Sequence, residues 1–341
     1  MKRILSLLVF CAVFVTPCAF ADSKATDFAN IIERAKLVEK ANKQKGFNGA
    51  LIVAYKGETI YSTQMGYADK DKSQALNSSH VFSTGSVGKE FTTVALLMLQ
   101  QQGRVNFSEV ISTYLPSLPS WASKVTIQQL LSHTSGLPKI NWLNNITTTQ
   151  VVSQIQGIST LQFEPGSAYL YGNLNVVLRA LIVEKITNQT FKSFIHQYLF
   201  EPIGINNSFQ VTDLSELTNN IVYGDSPTAI NGVTVYMTIA DLLKWERALI
   251  TGKLLGGEPL DKFIKQNGLS NKNNHANLDF GRFSLDDKNI IAIEHDGSNP
   301  SHHVVKYSNL AQNFTYIGMS SDGNKQTLRE LRDSIIGLLS H

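Results

Sequence analysis

The residues of this chain best placed to do chemistry are Ser86 and Lys89, within the stretch Phe82–Phe91. The run Thr92–Leu99 that follows is apolar on nearly every side, which predicts a helix buried all round. Ser86 then lies at or near the first turn of this helix, and Lys89, three residues on, shares its face. A helix start offers unpaired N–H groups and a partial positive charge, which favour a serine alkoxide and the oxyanion it creates. The S-x-x-K spacing therefore predicts acyl transfer by a serine nucleophile.

The same spacing has a purely structural interpretation, in which Ser86 caps a helix and Lys89 is a surface lysine. About one or two S-x-x-K sequences are expected by chance in a chain of this length, so the spacing alone is a weak signal. Ser86–Lys89 is the only S-x-x-K in this chain, and it directly precedes the apolar run. Other reactive residues are needed to choose between the two interpretations.

A second group of residues is the Y-x-N sequence of Tyr171 and Asn173, at the end of the Pro/Gly loop Glu164–Gly172. A phenol beside an ammonium group is pushed toward the phenolate, which can take the serine proton as a general base. Asn173 offers an amide to position a substrate carbonyl and to hold Lys89. The structural alternative is a buried tyrosine followed by a helix-capping asparagine.

A third group is the H-x-G sequence of His295 and Gly297, where a predicted strand ends. Gly297 lets the backbone approach a ligand closely. The N–H of Ser298 can pair with that of Ser86 to form an oxyanion hole. The structural alternative for His295 is a satisfied histidine at the end of a strand.

The order of predicted elements indicates how these groups are positioned. An amphipathic helix over residues 27–45 and a hairpin of Gly49–Tyr55 and Thr59–Ser62 precede Ser86, and strands return from Leu278 onward. We predict an α/β fold of the α+β type, an antiparallel sheet flanked by helices with an inserted α-helical lobe. The α/β lobe takes about residues 22–100 and 235–341, the helical lobe about 101–234, and the active site lies between them. The other predicted elements are helices at Thr126–Leu131, Leu174–Ile186, Phe191–Leu199, Met237–Gly252 and Lys325–Leu339, and strands at Leu278–Leu285, Ile290–Glu294, His303–Tyr307 and Phe314–Met319.

The first 21 residues are typical of a secretory signal peptide. A basic start is followed by the apolar run Ile4–Val15, which is too short to span a bilayer, and by the cleavage signature Ala19-Phe20-Ala21. Lipoprotein processing at Cys18 is a minor alternative, because Pro17 stands where a small residue is expected. The sequence thus predicts an exported protein, periplasmic or secreted, with residues 22–341 as one domain and no membrane span after cleavage.

Removal of this leader takes both cysteines of the chain, Cys11 and Cys18, so the mature protein has no disulfide and no thiol chemistry. The formal net charge of +3 falls to about +1, because Lys2 and Arg3 also leave. A net charge so close to zero argues against a protein that binds nucleic acid or carries a polybasic membrane-binding surface.

The order S-x-x-K, Y-x-N, H-x-G resembles the penicillin-recognising serine hydrolases, in the branch of class C β-lactamases, D,D-peptidases, D-aminopeptidases and related esterases. The segments Leu130–Pro138 and Thr238–Trp245 resemble further landmarks of that branch. The resemblance covers about residues 27–338. It implies a β-lactamase/transpeptidase-like fold, Ser86 as nucleophile, Lys89 and Tyr171 as the base system, and an acyl-enzyme that water resolves.

Some features depart from the pattern of that family. Tyr307-Ser308-Asn309 is also Y-x-N, but it follows the H-x-G sequence and we treat it as coincidence. Pro300 is followed by Ser301-His302-His303 instead of glycine and an aromatic residue, which leaves the shape of the substrate pocket open. The histidines, including His133, lack the spacing of a zinc site, so we expect neither a metal nor a cofactor.

The expected substrate is a small molecule or a peptide, an ester or an amide, with a D-amino-acid peptide from the cell wall as the leading candidate. The alternatives are a true β-lactamase or D,D-carboxypeptidase, and a non-catalytic envelope binding protein on the same fold. Family members that act on β-lactams usually carry K-T-G where this chain has His295. If Asp296 points toward the groove, its charge repels a substrate carboxylate, and if it points away, it can hold His295 protonated. Strand neighbours face opposite ways, so His295 inward implies Asp296 outward unless the strand has already ended. In both cases the site has less fixed positive charge than K-T-G supplies. We therefore predict a preference for uncharged esters or amides over penicillins.

Overall fold

The computed structural model describes residues 29–37, 39–40, 46–266, 278–287 and 289–337. The predicted signal peptide lies outside these ranges, together with Cys11 and Cys18. The same holds for both ends of the predicted first helix and for the last residues of the predicted C-terminal helix. No helix within the described ranges is long and apolar enough to cross a membrane.

The strands of the described residues form two sheets. They are β1 (Gly49–Tyr55), β2 (Glu58–Met65), β3 (Phe82–Ser83), β4 (Phe209–Gln210), β5 (Val235–Met237), β6 (Arg282–Asp286), β7 (Asn289–Asn299), β8 (His302–Asn309) and β9 (Phe314–Ser320). The main sheet has the order β2-β1-β9-β8-β7-β6 and is antiparallel throughout, while β3, β5 and β4 form a small second sheet. Because β1 pairs with β9, the early and late parts of the chain share one sheet, and the segment between β2 and β6 is an insertion.

The helices come mainly from this insertion. They are α1 (residues 29–37 and 39–40), α2 (Lys89–Gln101), α3 (Ile127–Leu131), α4 (Thr148–Gln156), α5 (Asn173–Thr187), α6 (Phe191–Phe194), α7 (Ile239–Ile250), α8 (Leu260–Gln266) and α9 (Lys325–Ile336). Short 3-10 turns connect several of them. Helix α2 is buried along nearly its whole length, as its apolar sequence predicts.

Helices cover both faces of the main sheet, which explains the sequence of β1. All seven of its residues are buried. Leu51 belongs to a core cluster on one face that includes Ile31 of α1 and Leu331 of α9. Ala50 and Ile52 belong to the larger core on the other face, which includes α2, α5 and α7. A strand covered on both faces carries a continuous apolar run instead of alternation, and residues 49–55 do so.

The predicted antiparallel sheet, flanked by helices and interrupted by a helical insertion, is confirmed. Several boundaries differ from those predicted. The strand expected to end at H-x-G continues as β7 to Asn299, because these residues pair with β8. Ser86 lies in a 3-10 turn, Gly85–Gly88, before α2 begins at Lys89. The predicted helix Phe191–Leu199 is split into α6 and a π-helical turn, and the strand predicted from Leu278 begins at Arg282.

Candidate active site

Ser86 and Lys89 are neighbours because of the 3-10 turn between β3 and α2. With three residues per turn, side chains three apart stand directly above one another. The Lys89 Nζ donates a hydrogen bond to the Ser86 Oγ at 3.3 Å. The ammonium is almost fully buried, with Lys89 3% exposed, so its charge acts where water screens it little.

Tyr171 reaches the same hydroxyl from the other side of the cleft. Its OH donates a hydrogen bond to the Ser86 Oγ at 2.9 Å, and its ring centroid lies 5.1 Å from the Lys89 Nζ. The three side chains line a cavity of about 130 Å³. Its lining also includes Ser83, Gly85, Trp142, Asn173, Thr228, Val233, Thr234, Ser298 and Asn299. The structure therefore brings together the residues that the sequence proposed as nucleophile and base.

Asn173 is the first residue of α5 and lines this cavity beside Tyr171. Its Oδ1 is buried and has no hydrogen-bond partner among the described residues. The Lys89 Nζ donates to Ser86, and no bond from it to Asn173 is present in the described part of the chain. The predicted role of Asn173 in holding Lys89 therefore has no hydrogen bond to support it among the described residues.

The backbone of Ser298 approaches Ser86 along the edge of β7. Strand β6 pairs with β7 only as far as Glu294, so residues 295–299 leave an edge that packs against the turn containing Ser86. A Cβ at Gly297 would lie 2.1 Å from the Thr84 carbonyl oxygen and 3.0 Å from the Ser86 nitrogen. A Cβ at Gly85 would lie 2.4 Å from the Ser298 nitrogen. Only glycine permits these approaches, which set the backbone of Ser298 beside that of Ser86, as an oxyanion hole requires.

His295 is buried and held by a group that the sequence analysis missed. Its Nδ1 lies 2.5 Å from the Oε1 of Glu90, the residue after Lys89. Glu90 also pairs with Lys306 at 2.8 Å and accepts a hydrogen bond from Trp245 at 2.7 Å. Lys306 in turn pairs with Glu246. His295 lines a cavity of about 300 Å³ that adjoins the nucleophile along Tyr171.

Electrostatics explain why these charges can be buried together. Burial alone would raise the pKa of Glu90, but the Lys306 ammonium and the His295 hydrogen bond outweigh it and hold that pKa below its usual value. A signal for this cluster exists in the sequence, because Glu90 is an acidic residue at the start of a helix that is otherwise apolar on all sides. Such a residue requires a buried partner.

Asp296 forms ion pairs with α9 and also borders the cavity of about 300 Å³ beside His295. It pairs with Lys325 and, at 3.4 Å, with Arg329, both on α9. Burial raises the pKa of Asp296, but the Lys325 hydrogen bond and charge outweigh it, so the carboxyl pKa lies below its usual range. The expectation that Asp296 holds His295 is corrected, because Glu90 occupies the His295 ring nitrogen.

A second buried cluster lies behind Tyr171 and was also missed. The His133 Nε2 donates to Asp279 at 2.9 Å, and Arg179 of α5 donates to the other oxygen of Asp279 at 2.6 Å. The His133 Nδ1 accepts the N–H of Gly172 at 3.3 Å, and its ring centroid lies 4.6 Å from that of Tyr171. The cluster thus ties the backbone beside Tyr171 to a buried ion pair.

The three histidines that could suggest a metal site, His133, His302 and His303, each form hydrogen bonds with different partners. His302 accepts the N–H of Ser83 at 2.9 Å, His303 lies 3.0 Å from the Ser298 Oγ, and His133 belongs to the Asp279 cluster. Among the described residues no group of three or more metal-ligating side chains has the arrangement of a site.

We expect Asp279→Asn to destabilise the protein in a pH-dependent way. Burial raises the pKa of Asp279, but the neighbouring His133 and Arg179 outweigh it and hold that pKa far below its usual value. The ionised carboxyl therefore contributes stability above the unfolded-state pKa of about 4, and this contribution shrinks as the pH falls below that value. Loss of the charge also leaves Arg179 buried and unpaired, which costs about 3 kcal/mol.

The measurement is urea unfolding of the native protein and Asp279→Asn at pH 7 and again near pH 3. The difference in the free energy of unfolding is expected to be smaller at the lower pH. Asp287→Asn, at a position where no ion pair is present among the described residues, is the matched control. An equal difference at both pH values would contradict the ion-pair account.

We expect Tyr171→Phe to lower turnover about a hundredfold or more, since it removes the hydroxyl bonded to Ser86. Tyr307→Phe is the control, because Tyr307 packs against the core on the α9 side of the sheet, with Tyr316 and Leu328. Its turnover is expected to stay near that of the native protein. Ester hydrolysis by the two purified variants measures both effects, and the reverse ranking would identify Tyr307 as the functional tyrosine.

The fold and the convergence of Ser86, Lys89 and Tyr171 are those of the penicillin-recognising serine hydrolases. The chain belongs to the Beta-lactamase family, whose profile matches residues 34–331. The resemblance drawn from the three motifs is thereby confirmed.

Curated relatives and solved structures agree with this membership. Penicillin-binding protein 4* of Bacillus subtilis (strain 168) is 26% identical, over 89% of this chain and 74% of its own length. The putative penicillin-binding protein PbpX of the same organism is also 26% identical, and the match covers 71% of this chain but only 64% of PbpX. The fold is similar to that of a penicillin-binding protein from Bacillus halodurans, with a TM-score of 0.73 and 19% identity over 91% of this chain and 99% of that one. A class C beta-lactamase gives a TM-score of 0.70 with 16% identity, over 91% and 97% of the two chains.

Proposed function

We propose that this protein is an exported serine hydrolase that cleaves an ester or an amide through an acyl-enzyme on Ser86. The observation that carries the proposal is the convergence on one hydroxyl of the Lys89 ammonium, at 3.3 Å, and the Tyr171 phenol, at 2.9 Å. A nucleophile within hydrogen-bond reach of its activating groups is the signature of covalent catalysis. Export rests on the leader-like residues 1–21.

In the first half of the reaction, the oxygen of Tyr171 acts as the general base for the proton of the Ser86 hydroxyl, while the Lys89 ammonium stabilises the developing charge. The Ser86 Oγ then bonds to the substrate carbonyl carbon, and the resulting oxyanion accepts hydrogen bonds from the N–H groups of Ser86 and Ser298. Tyr171 passes its proton to the leaving alcohol or amine as the C–O or C–N bond breaks. The acyl group remains esterified to Ser86.

In the second half, water attacks the acyl-enzyme carbonyl and gives a proton to Tyr171. The bond to the Ser86 Oγ breaks, the serine recovers its proton, and the carboxylic acid leaves. Asn173 and Ser298 line the cavity that contains Ser86 and are the residues proposed to position the substrate there. No step requires a metal or a cofactor.

The proposed substrates are uncharged esters or amides, with D-amino-acid peptides as the leading natural class. His295 stands where β-lactam-acting relatives usually have lysine, and its ring nitrogen is taken up by Glu90. This end of the cleft therefore offers less free positive charge to a substrate carboxylate. The alternative, a true β-lactamase or D,D-carboxypeptidase, is favoured by the names of the relatives, which include penicillin-binding proteins and a class C beta-lactamase.

The proposal is tested by intact-mass analysis of the protein after exposure to a fluorophosphonate and, separately, to a penicillin. A single fluorophosphonate adduct on Ser86 is the expected result, and a protein that forms no adduct with either reagent would be a binding scaffold. Comparing kcat/KM for a p-nitrophenyl ester and a chromogenic cephalosporin then tests substrate class. Cephalosporin turnover far above ester turnover would establish the β-lactamase alternative.

A further inference from the structure

A tryptophan stands exposed at the mouth of the catalytic cleft. Trp142 is 52% exposed, whereas the other two tryptophans, Trp121 and Trp245, are 5% and 0% exposed. Leaving an indole in water forgoes a large hydrophobic stabilisation, so such a residue is informative when it borders a functional cavity.

The backbone that carries Trp142 is held in place. Gln154 of α4 accepts the N–H of Asn141 at 2.9 Å and donates to the Asn141 carbonyl oxygen at 2.8 Å. Ile140 and Ile146, on either side of the exposed segment, are both buried. The indole is thus presented by an anchored segment, which lowers the entropy lost when a ligand binds to it.

Trp142 borders two adjoining cavities. One is the cavity of about 130 Å³ that contains Ser86, and the other, of about 170 Å³, is lined by Lys139, Ile140, Trp142, Tyr171, Gly172 and Asn173. Tyr171 and Asn173 border both cavities, so a molecule bonded to Ser86 can extend into the second without leaving the protein surface. Trp142 forms the aromatic wall along this path.

The two ends of the cleft differ in chemistry. The end near His295 carries the charged side chains of Asp279, Arg282, Glu294 and Asp296 and suits the polar leaving alcohol or amine and the incoming water. The end near Trp142 is lined by an indole, a phenol ring and Ile140, with Lys139 as its one charged side chain. An apolar group of the substrate is stabilised at the second end.

We propose that Trp142 is a specificity-determining residue that binds the acyl arm of the substrate, and that this arm carries an aromatic or similarly bulky apolar group. This inference rests on the hydrolase function proposed above and adds the substrate class. The apolar acyl arm lies against the Trp142 ring, and the reacting carbonyl lies at Ser86.

The test compares two p-nitrophenyl esters with the same leaving group, the acetate and the 3-phenylpropanoate, in the native protein and in Trp142→Ala. The measured quantity is kcat/KM for the 3-phenylpropanoate divided by kcat/KM for the acetate. This ratio is expected to fall about tenfold in Trp142→Ala and only about two- to threefold in Trp142→Phe. Leu143→Ala is the matched control. Leu143 is the next residue, is 48% exposed and is not among the residues that line these cavities, so its ratio is expected to equal that of the native protein.

Fluorophosphonate labelling of Ser86 in every variant separates the two proposals. In one outcome, Trp142→Ala is labelled, hydrolyses the acetate and has the same kcat/KM ratio of the two esters as the native protein. That result would overturn the role of Trp142 and leave the proposed hydrolase function intact. An equal fall of this ratio in Leu143→Ala would also overturn the role of Trp142, because the effect would then come from disturbing the segment and not from the indole. A protein that neither labels nor hydrolyses either ester would overturn the hydrolase and this inference with it.

Discussion

Ser86→Ala is expected to abolish acylation and to lower ester turnover on the order of a million-fold, to the detection limit, while the protein remains folded. The hydroxyl is the group on which Lys89 and Tyr171 converge, and no other atom in the cavity receives both hydrogen bonds. The side chain is only partly buried and its loss leaves little unfilled space, so the free energy of unfolding is expected to change by less than about 1 kcal/mol.

Intact-mass analysis after fluorophosphonate treatment, followed by peptide mapping, measures this effect. Ser193→Ala is the matched control, because Ser193 lines a separate, larger cavity of about 510 Å³ and lies 2.8 Å from Thr190. That variant is expected to label at Ser86 as the native protein does. An adduct on any other serine, or labelling that survives Ser86→Ala, would refute the assignment of the nucleophile.

Lys89→Ala is expected to lower turnover about a thousandfold or more, because nucleophile and base act as a unit and their losses do not add independently. The ammonium lies 3.3 Å from the Ser86 hydroxyl and 5.1 Å from the centre of the Tyr171 ring, close enough to stabilise negative charge that develops on either oxygen. Its removal leaves both oxygens without the positive charge that stabilises them in the transition state. Lys89 is also buried, so thermal unfolding of the variant must accompany the kinetics.

The rate of fluorophosphonate labelling and the kcat of ester hydrolysis both report this loss. Lys253→Ala, at an exposed position after α7, is the control for the change in net charge and is expected to be neutral. A double variant, Lys89→Ala with Tyr171→Phe, is expected to lose little more than Lys89→Ala alone. Near-native turnover by a folded Lys89→Ala protein would contradict the S-x-x-K interpretation.

Much of the fold was predictable because its signals are local. The apolar run after Ser86, the hairpin of β1 and β2, and the turn from Thr238 into α7 each depend on residues only a few positions apart. The chemistry of Ser86 and Lys89 was predictable for the same reason, since residues three apart meet in any helical turn. The order of the three motifs then identified the family without any knowledge of contacts.

The element boundaries that differed from the prediction are those set by contacts with a distant strand or turn. Strand β7 continues through His295 and Gly297 because β8 is there to pair with it, and no local signal in H-x-G prescribes where that pairing stops. The 3-10 turn at Ser86 likewise depends on the packing of Gly85 against the backbone of Ser298. Both features depend on contacts between residues far apart in the chain. In the sequence, the only trace of these contacts is an isolated glycine at each place.

The ion pairs of the cleft could not be predicted from the sequence. From the sequence, Asp296 was the natural partner of His295 because it is adjacent. In the fold Asp296 faces α9, and Glu90, more than two hundred positions earlier, bonds to His295. The identity of a buried ion pair depends on which charged side chains the packed helices and strands bring within reach, since a buried charge is tolerated only beside a partner.

The sequence by itself determined the nucleophile candidate, its family and the antiparallel sheet with a helical insertion. Only the tertiary structure brought Tyr171 to the Ser86 hydroxyl, joined Gly85 to Ser298, and set Trp142 beside the nucleophile. The physical reason is that helix and strand signals arise from neighbours along the chain. A catalytic site, in contrast, requires side chains from distant segments within about 3 Å of one another, and only the packing of the whole chain supplies that distance.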